Sequence, residues 1–394
     1  MAEDVVIVGG GPAGSALALR LARAGASVRI VERAAFPRTK VCGEYLSPGA
    51  LAELEALGVA QKVTALAAPL RGIRLYAARG DPLTLPFDGG VALALERRVL
   101  DARLLAAARE AGAVCEHARA EELILEDGRA AGVRVRDPGG ELQERRAGVV
   151  VGADGIGSMV ARRLGLTRQR SSTRERFALG GHVVIGAGEC EWLSMFSAGG
   201  AYFAVNPLGP RRANVMLVLA RRELAAWGGR IDAAARRRVE RLVGGRAPLD
   251  LFPARQERLA AGPLAQRVCR VHAPGALLVG DAAGFLNPFT GQGVWLALEG
   301  AREAAAAILA LLRGECSESA AWRAYARARD TSWRPRRVLS GVMELLQLRD
   351  AWALHAVARA CSHREAARTL LGACAGTIPA RAALHPLVLG RLLA

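Results

Sequence analysis

Three glycines near the start of the chain have the spacing of a phosphate-binding turn. Gly9, Gly11 and Gly14 come after an apolar strand at residues 4–8 and before an Ala- and Leu-rich helix that runs to about Ala24. Gly9 permits a tight turn, Gly11 lets a pyrophosphate approach the backbone, and Gly14 lets helix and strand pack closely. The helix N-terminus then faces the phosphate charge, so the pattern predicts a dinucleotide site.

An acidic residue follows at the distance where a bound dinucleotide would place its ribose. A second strand covers residues 27–33, and Glu32 lies eighteen residues after Gly14. We expect the Glu32 carboxylate to accept hydrogen bonds from a ribose hydroxyl. The alternative is a glycine-rich turn that binds no ligand. The register of strand, turn, helix, strand and acid argues against that alternative.

Two later segments end a buried strand with an aspartate. In VVGADGIGS, Asp154 and Gly155 follow the strand. In LVGDAAG, Asp281 follows the buried strand. Pro288 comes soon after, and a helix then starts at the glycine-rich residues 291–293. Asp154 also suits the cap of a helix that starts near Gly155, and the two roles are compatible.

In this order and at these separations, the three motifs resemble those of the flavoprotein monooxygenase and geranylgeranyl reductase superfamily, which has the para-hydroxybenzoate hydroxylase fold. The resemblance spans about residues 4–315 and implies FAD as cofactor. It places Asp281 on the ribityl hydroxyls and the backbone N–H groups of Gly291 and Gly293 at the flavin pyrimidine edge, where a helix dipole stabilises the reduced ring. The cofactor-binding residues it implies are Gly9, Gly11, Pro12, Ala13, Gly14, Glu32, Arg33, Arg97, Asp154, Gly280, Asp281, Pro288, Gly291, Gln292 and Gly293.

The sequence indicates the electron donor for the flavin less directly than it indicates the flavin itself. The sequence contains one dinucleotide fingerprint, whereas glutathione-reductase-like flavoproteins use a second one for the nicotinamide. We therefore expect NAD(P)H to bind transiently as reductant. A separate flavin reductase that supplies reduced FAD is the alternative.

The segment from Phe36 to Pro48 resembles the Cys-Gly segment of geranylgeranyl reductases, which approaches the flavin. Its titratable side chains, together with one tyrosine farther along, are the candidate catalytic residues: Lys40, Cys42, Glu44, Tyr45 and Tyr202. Lys40 is one of two lysines in a chain that otherwise uses Arg, which suggests that an ammonium group is required there. The alternatives are a surface charge for Lys40 and a small buried apolar residue for Cys42.

The chain also departs from its relatives' motifs. Prenyl reductases carry YxWxFP and a later GxG; here Tyr202 and Pro207 match, while the Trp, the Phe and both glycines are absent. Aromatic hydroxylases usually have His after GDAA, where this chain has Gly284. The halogenase motif WxWxIP is missing, since Trp192 stands alone.

The resemblance implies an FAD-dependent oxidoreductase, and two reactions are open. The first is monooxygenation, through a flavin C4a-hydroperoxide, of a hydrophobic polyketide-like or isoprenoid small molecule. The alternative is reduction of a carbon–carbon double bond, with Cys42, Glu44 or Tyr45 supplying the proton. Halogenation and a non-catalytic flavoprotein are less favoured.

The elements that must position these residues make an α/β fold. The expectation is a Rossmann-like FAD-binding domain with a β-meander, a β-sheet substrate domain and a helical C-terminal region broken near Pro335, Gly372 and Pro379. Residues 1–65, 95–173 and 266–320 are predicted to form the FAD-binding domain, residues 66–94 and 174–265 the substrate domain, and residues 321–394 the helical region. In that last region Val342, Leu345, Leu346, Trp352, Leu354 and Val357 recur at helical spacing. Such a face packs on the body of the protein, lines a substrate tunnel or contacts a membrane peripherally.

Composition excludes several other classes. The 394 residues carry 54 Lys+Arg against 37 Asp+Glu, a formal charge of +17, but only Lys40 and Lys62 are lysines. The charge therefore reflects a general use of Arg, and no aromatic residues interleave with the basic runs, so nucleic acid is not an expected partner. Seven cysteines without a CxxC pair predict a reducing cytoplasm and no zinc site. No targeting or membrane-spanning segment is predicted.

Overall fold

The computed structural model describes residues 2–88, 90–168, 175–186, 191–246, 253 and 258–393. The strands in these ranges are β1 (Glu3–Val8), β2 (Val28–Glu32), β3 (Tyr45–Leu46), β4 (Ala68–Leu70), β5 (Gly72–Tyr76), β6 (Leu83–Pro86), β7 (Ala92–Ala94), β8 (Val114–His117), β9 (Arg119–Glu126), β10 (Arg129–Arg136), β11 (Leu142–Gly152), β12 (Arg176–Val184), β13 (Trp192–Ala198), β14 (Ala201–Pro207), β15 (Arg212–Ala220), β16 (Leu259–Ala261), β17 (His272–Ala273) and β18 (Ala276–Leu278).

The α-helices in the same ranges are α1 (Pro12–Arg23), α2 (Pro48–Ala56), α3 (Ala60–Thr64), α4 (Arg97–Glu110), α5 (Met159–Arg163), α6 (Arg221–Ala226), α7 (Ile231–Val243), α8 (Gly293–Leu312), α9 (Glu318–Gln347), α10 (Asp350–Ser362), α11 (Arg364–Ala375), α12 (Ala380–Ala383) and α13 (Pro386–Leu393). Two short 3₁₀ helices cover Gly280–Ala283 and Pro288–Thr290.

The main sheet is built around β1, which pairs in parallel with β2 on one side and β11 on the other. β8 extends the sheet beyond β2, and β18 extends it beyond β11. Val5, Val6 and Ile7 are fully buried in the same core as residues of α1, α4 and α8. Burial on both faces explains why the predicted strand is apolar without alternation.

The predicted β-meander is present and is continuous with the main sheet. β9, β10 and β11 pair antiparallel in sequence order. β11 runs unbroken from the meander into the main sheet, from Leu142 to Gly152. The reason is an exchange of partners along one strand, since Arg146 pairs with Gly132 in β10 while Ala147 pairs with Glu3 in β1.

A second sheet of seven strands has the order β16-β12-β15-β14-β13-β5-β6. Its side chains alternate between two environments, as the period of two along a strand requires. Phe203 and Leu217 pack in a core with Val239 of α7. Their neighbours Tyr202 and Met216 belong to a separate cluster on the opposite face.

A small third sheet links chain segments predicted to lie in different domains. β3 pairs with β7, and β7 also pairs with β4. Because β3 is Tyr45–Leu46, this sheet fixes the end of the Cys-Gly segment. The domain boundaries remain a prediction, and the one between residues 173 and 174 lies outside the described residues.

The C-terminal helices differ from the expected pattern in two ways. The predicted break near Pro335 is wrong, because α9 continues through it. Arg336 and Leu339 are buried just beyond the proline, and such packing offsets the cost of about 3 kcal/mol that proline imposes inside a helix. The predicted apolar face is also divided: Val357 is buried against Leu85 of β6, while Leu345 and Trp352 are exposed.

Of the other two predicted breaks, the one at Pro379 agrees with the structure, while Gly372 lies inside α11 and the helix ends three residues later. α11 ends at Ala375, and Gly376 adopts the left-handed conformation that often follows a helix. α12 begins directly after Pro379. None of the helices in the described ranges combines the length and apolar character needed to cross a membrane.

Candidate functional site

A cavity of about 600 Å³ connects the two main sheets. One end is lined by residues that directly follow the parallel strands β1, β11 and β18, including Gly11, Ala153 and Asp281. Ligands of α/β sheets bind at this edge, beyond the carboxyl ends of the strands. The other end is apolar and is lined by the second sheet and the C-terminal helices, through Ile73, Leu75, Leu83, Leu85, Leu193, Met195, Met216, Val218, Leu370 and Leu371.

The three glycines of the first turn have distinct environments. A Cβ atom at Gly14 would lie 2.0 Å from the carbonyl oxygen of Gly9, and one at Gly9 would lie 2.6 Å from that of Ala153. At Gly11 the nearest atom would be 3.6 Å away, on Arg38. Gly9 and Gly14 therefore permit close packing, while Gly11 leaves the backbone accessible to a ligand. Gly11 lines the cavity, as do Pro12 and Ala13 at the start of α1.

Glu32 joins the glycine turn to the end of β2. Its carboxylate accepts hydrogen bonds from the backbone N–H groups of Gly10 at 2.7 Å and Ala34 at 2.9 Å. The predicted bond to a ribose would use a remaining lone pair of this carboxylate. Arg33, the next residue, is exposed. The cofactor contacts of both residues stay predictions.

Asp154 contributes to the start of α5, and its cofactor contact stays a prediction. Its Oδ2 accepts a hydrogen bond from the N–H of Met159, the first residue of α5, at 2.6 Å. The cap itself is Ser158, whose Oγ accepts from the N–H of Ala161. Within the described residues the buried Oδ1 of Asp154 has no hydrogen-bond partner. Burial raises the pKa of Asp154.

Lys40 and Asp281 lie at the wall of the cavity and influence each other. Burial raises the pKa of Asp281, while Lys40 and Arg97 lower it. Burial lowers the pKa of Lys40, and Arg97 lowers it further, while Asp281 raises it. The Lys40 ammonium also lies 3.4 Å from where a Cβ of Gly155 would be. The exceptional lysine is thus solvent-accessible from the cavity, although protein surrounds it on its other sides.

Arg97 is held in a buried cluster of charges. Its Nε and Nη2 each donate to Asp101 at 2.8 Å, a bidentate pair one helical turn apart on α4. Arg38 also contacts Asp101, at 3.2 Å. Burial by itself lowers the pKa of Arg97, but Asp101 and Cys42 raise it more, so the pKa lies above its usual value. Arg97 therefore presents a permanent positive charge at the cavity.

Two asparagines hold the backbone of the Cys-Gly segment. Asn214 Nδ2 donates to the carbonyl of Cys42 at 2.6 Å. Asn206 Nδ2 donates to the carbonyls of Gly43 at 2.8 Å and Glu44 at 3.0 Å. Asn206 and Asn214 are directly opposite each other on β14 and β15. Sequence reasoning missed them, although a lone buried polar residue in each of two apolar strands is a visible signal.

Glu44 is locked into a network by its side chain. It is 3% exposed and has a positive φ of 55°. Its Oε1 accepts from the backbone N–H of Arg97 at 2.9 Å, and its Oε2 lies 2.8 Å from Nε2 of His182. The Nδ1 of His182 lies 3.0 Å from Nη2 of Arg212. Because a guanidinium only donates, Nδ1 must accept, so Nε2 carries the proton and donates to Glu44.

Changing Glu44 to Gln is expected to destabilise the protein by about 1–3 kcal/mol. The side-chain oxygen of the glutamine must still accept a hydrogen bond from the N–H of Arg97. The glutamine NH₂ group would then face the N–H of His182, and two donors would meet. Removing the Arg212 donor as well, in Glu44→Gln/Arg212→Met, frees His182 to change tautomer and should recover part of the loss. Urea unfolding of both variants and of Arg212→Met alone measures this coupling. Strictly additive losses would contradict the tautomer assignment.

Tyr45 and Tyr202 line the cavity between its two ends. Tyr45 stacks on Phe87 and lies 2.9 Å from where a Cβ of Gly291 would be. Tyr202 contacts Phe289 edge-on, with ring centroids 5.2 Å apart. Burial raises the pKa of both phenols. Both phenols are therefore protonated at neutral pH.

The loop from Pro288 to Gly293 joins the cavity to the C-terminal helices. Gly291 has a φ of 67°, which favours glycine, and α8 begins at Gly293 without a side-chain cap. Gln292 Nε2 donates to the carbonyls of Ala373 and Cys374 near the end of α11. Within the described residues its buried Oε1 has no partner. The first N–H groups of α8, which have no partner within the helix, and this oxygen can bind a ligand.

Gly284, which replaces the usual histidine, has a structural explanation. A Cβ there would lie 3.0 Å from the ring of Trp333 and 3.2 Å from Nη2 of Arg329. Arg329 donates to the carbonyl of Ala283 at 2.7 Å. The space of the missing side chain is thus taken by α9. Gly280 is similarly constrained, since a Cβ there would lie 2.8 Å from that of Ala13.

The residues present fit an FAD molecule. Gly11 leaves its backbone open, Arg97 offers positive charge near the strand ends, and α8 has free N–H groups. The unpartnered oxygens of Asp154 and Gln292 require donors, and a flavin dinucleotide supplies hydroxyl and N–H groups. Which individual atoms each residue contacts stays a prediction.

Comparisons with known proteins agree with this cofactor. The FAD binding domain family model matches residues 2–335. Digeranylgeranylglycerophospholipid reductase 2 of Methanopyrus kandleri is 34% identical over 305 residues, which cover 76% of this chain and 74% of that protein. Menaquinone reductase of Mycolicibacterium smegmatis is 31% identical over 352 residues, covering 81% and 79%.

A solved structure shows that the fold is shared more widely. The myxobacterial chondrochloren halogenase superposes with a TM-score of 0.80 at 24% identity, over 99% of this chain and 97% of that one. At this identity the likeness concerns the fold alone. From the family match and the two reductases, the chain belongs to the FAD-binding domain family, within the flavoprotein monooxygenase and geranylgeranyl reductase superfamily, and is an FAD-dependent oxidoreductase.

Proposed function

We propose that this protein reduces carbon–carbon double bonds in a hydrophobic, isoprenoid small molecule. The observation that carries the proposal is the cavity, in which the flavin-binding glycine loop and a large apolar wall line one space of about 600 Å³. The names of the relatives also favour reduction. Sequence motifs alone ranked monooxygenation first and this reaction second, so the comparisons reverse that order.

The residues of this chain have separable tasks in such a reaction. FAD, when bound, supplies a ring that accepts two electrons and delivers a hydride to carbon. Asp281, Arg97 and the start of α8 hold and orient it. Apolar side chains of the second sheet, such as Leu75 and Met216, exclude water around the substrate chain. A proton must also reach the second carbon of the double bond.

The proton donor is one of the groups that line the cavity near Gly291. Both oxygens of Glu44 already accept hydrogen bonds, so Glu44 is poorly placed to release a proton. Cys42 and Tyr45 also line the cavity. The Cys42 sulfur accepts a hydrogen bond from the N–H of Glu44, whereas the Tyr45 hydroxyl makes none within the described residues. We propose Tyr45 as donor with Cys42 as the alternative. NAD(P)H, or a separate flavin reductase, is the proposed source of electrons.

Anaerobic turnover tests this function. Holoenzyme reduced with dithionite and given geranylgeraniol is expected to yield products heavier by two hydrogens per reduced bond, as measured by mass spectrometry. Tyr45→Phe should slow this step about 100-fold, within the range typical of general acid catalysis, while Cys42→Ala should slow it less. Unchanged turnover in Tyr45→Phe would reassign the proton to Cys42. A product that gains one oxygen, and only in air, would replace the proposal with monooxygenation.

A further inference from the structure

The cavity has a branch whose chemistry differs from the rest of its wall. It is lined by Glu299 and Glu303 of α8 and by Tyr325, Arg329, Ser332 and Trp333 of α9, and these six residues are called the polar branch below. Glu299 and Glu303 lie six and ten residues beyond Gly293, which is about 9 and 15 Å along the helix axis. The polar branch therefore begins near the loop from Pro288 to Gly293 and leads away from it.

Most polar groups of the branch already have partners. Arg329 donates to the carbonyl of Ala283 and stacks 4.1 Å over the ring of Trp333. Glu299 accepts from Ser332 and, at 3.0 Å, from Arg336, whose guanidinium stacks on Trp295. The Tyr325 hydroxyl donates to the carbonyl of Leu278 at 2.6 Å.

Glu303 is the exception. Across the described ranges its carboxyl makes no hydrogen bond or ion pair, although it is half-buried and lines the cavity. Burial and the neighbouring Glu299 raise the pKa of Glu303 to about 7, against the opposing effect of Arg302, Arg329 and Arg336. An unpartnered carboxyl in such a site favours a ligand that can hydrogen-bond with it. At neutral pH the protonated and ionised forms of Glu303 coexist, so the carboxyl group can both donate and accept hydrogen bonds.

We propose that Glu303 binds the head group of the substrate and that this head group is neutral, carrying a hydroxyl or carbonyl oxygen and no phosphate. The inference rests on the proposed function, in which the apolar chain of the substrate occupies the apolar end of the cavity. The loop from Pro288 to Gly293 contacts the apolar wall through Phe289 and leads into α8, which carries Glu299 and Glu303. A molecule with an apolar chain and a small polar head can therefore place a double bond beside this loop. Beside Glu299 and Glu303 a phosphate would meet carboxylates, and the nearby Arg329 and Arg336 already donate to the carbonyl of Ala283 and to Glu299.

Binding to the oxidised holoenzyme tests this without turnover. The probes are geranylgeraniol, geranylgeranyl phosphate and the hydrocarbon of the same chain without oxygen, each titrated by the change in flavin absorbance. The alcohol is expected to bind about 10-fold more tightly than either of the others. Glu303→Leu should weaken alcohol binding about 10-fold and leave the hydrocarbon unchanged, whereas Glu303→Gln, which keeps a donor and an acceptor, should stay close to wild type.

The control is Glu55→Leu, which changes an exposed carboxylate on α2 outside the cavity and should alter neither binding nor flavin content. Tighter binding of the phosphate by the wild type, equal binding of the alcohol by Glu303→Leu, or no binding of the alcohol overturns the head-group assignment. Failure of the proposed function looks different. In that case the alcohol binds through Glu303 but anaerobic holoenzyme does not reduce it.

Discussion

Replacing Asp281 with Ala is expected to weaken FAD binding by about 10- to 100-fold, the range that follows from losing one or two hydrogen bonds to a charged group. Asp281 follows β18 at the edge of the sheet where three strand ends meet, and it lines the cavity. Its removal also takes away a carboxylate that raises the pKa of Lys40 and opposes the effect of Arg97. Fluorescence titration of apoprotein with FAD gives the affinity, and the flavin absorbance of purified protein gives the retained cofactor.

Two further variants isolate the cause. Asp281→Asn keeps an acceptor without the charge and should fall between the wild type and Asp281→Ala. Asp81→Ala removes an exposed aspartate and should bind FAD normally. Full flavin content in Asp281→Ala would refute the assignment of this residue to the cofactor.

The second large effect is expected at Asp101, where Asp101→Ala should destabilise the protein by about 3–5 kcal/mol. Asp101 is fully buried and accepts hydrogen bonds from Nε and Nη2 of Arg97, and Arg38 also contacts it. Without the carboxylate, the buried guanidinium of Arg97 would lose its ion-pair partner, and the partly buried Arg38 would lose its contact as well. Urea unfolding of the apoprotein measures the loss without interference from FAD.

The chain contains a matched control for this prediction. Arg334 and Asp330 form an ion pair with the same helical spacing on α9, but their side chains are 71% and 41% exposed. Asp330→Ala should therefore cost less than about 1 kcal/mol, because solvent screens an exposed pair. Equal losses at the two positions would show that burial does not govern the strength of the Asp101 cluster.

The elements that were predicted well are those whose signals are local. β1, the first glycine turn and α1 follow directly from an apolar run, three glycines and a helix with proline at its first position. The break predicted at Pro335 failed because a long-range contact, Arg336 with Glu299 and Trp295, holds α9 together beyond the proline. Local propensity gives way where packing on both sides of a residue supplies more free energy.

The Cys-Gly segment shows the same limit for the site. The sequence identifies its titratable residues as candidates, but it does not distinguish the role of Glu44 from that of Cys42. Asn206 and Asn214 hold the segment from 162 to 172 residues away, and His182 engages Glu44 from 138 residues away. No spacing rule connects positions so distant.

By itself, the sequence determined the cofactor and the family, because three strand-to-turn motifs encode the FAD site through backbone conformations that depend on neighbouring residues. The tertiary structure alone decided which side chains remain free to act. It engages both oxygens of Glu44, brings Lys40 beside Asp281, and leaves Glu303 unpartnered among the described residues. The physical reason is that hydrogen-bond partnership and burial are set by contacts between distant segments, which form only when the sheets and the C-terminal helices enclose the cavity.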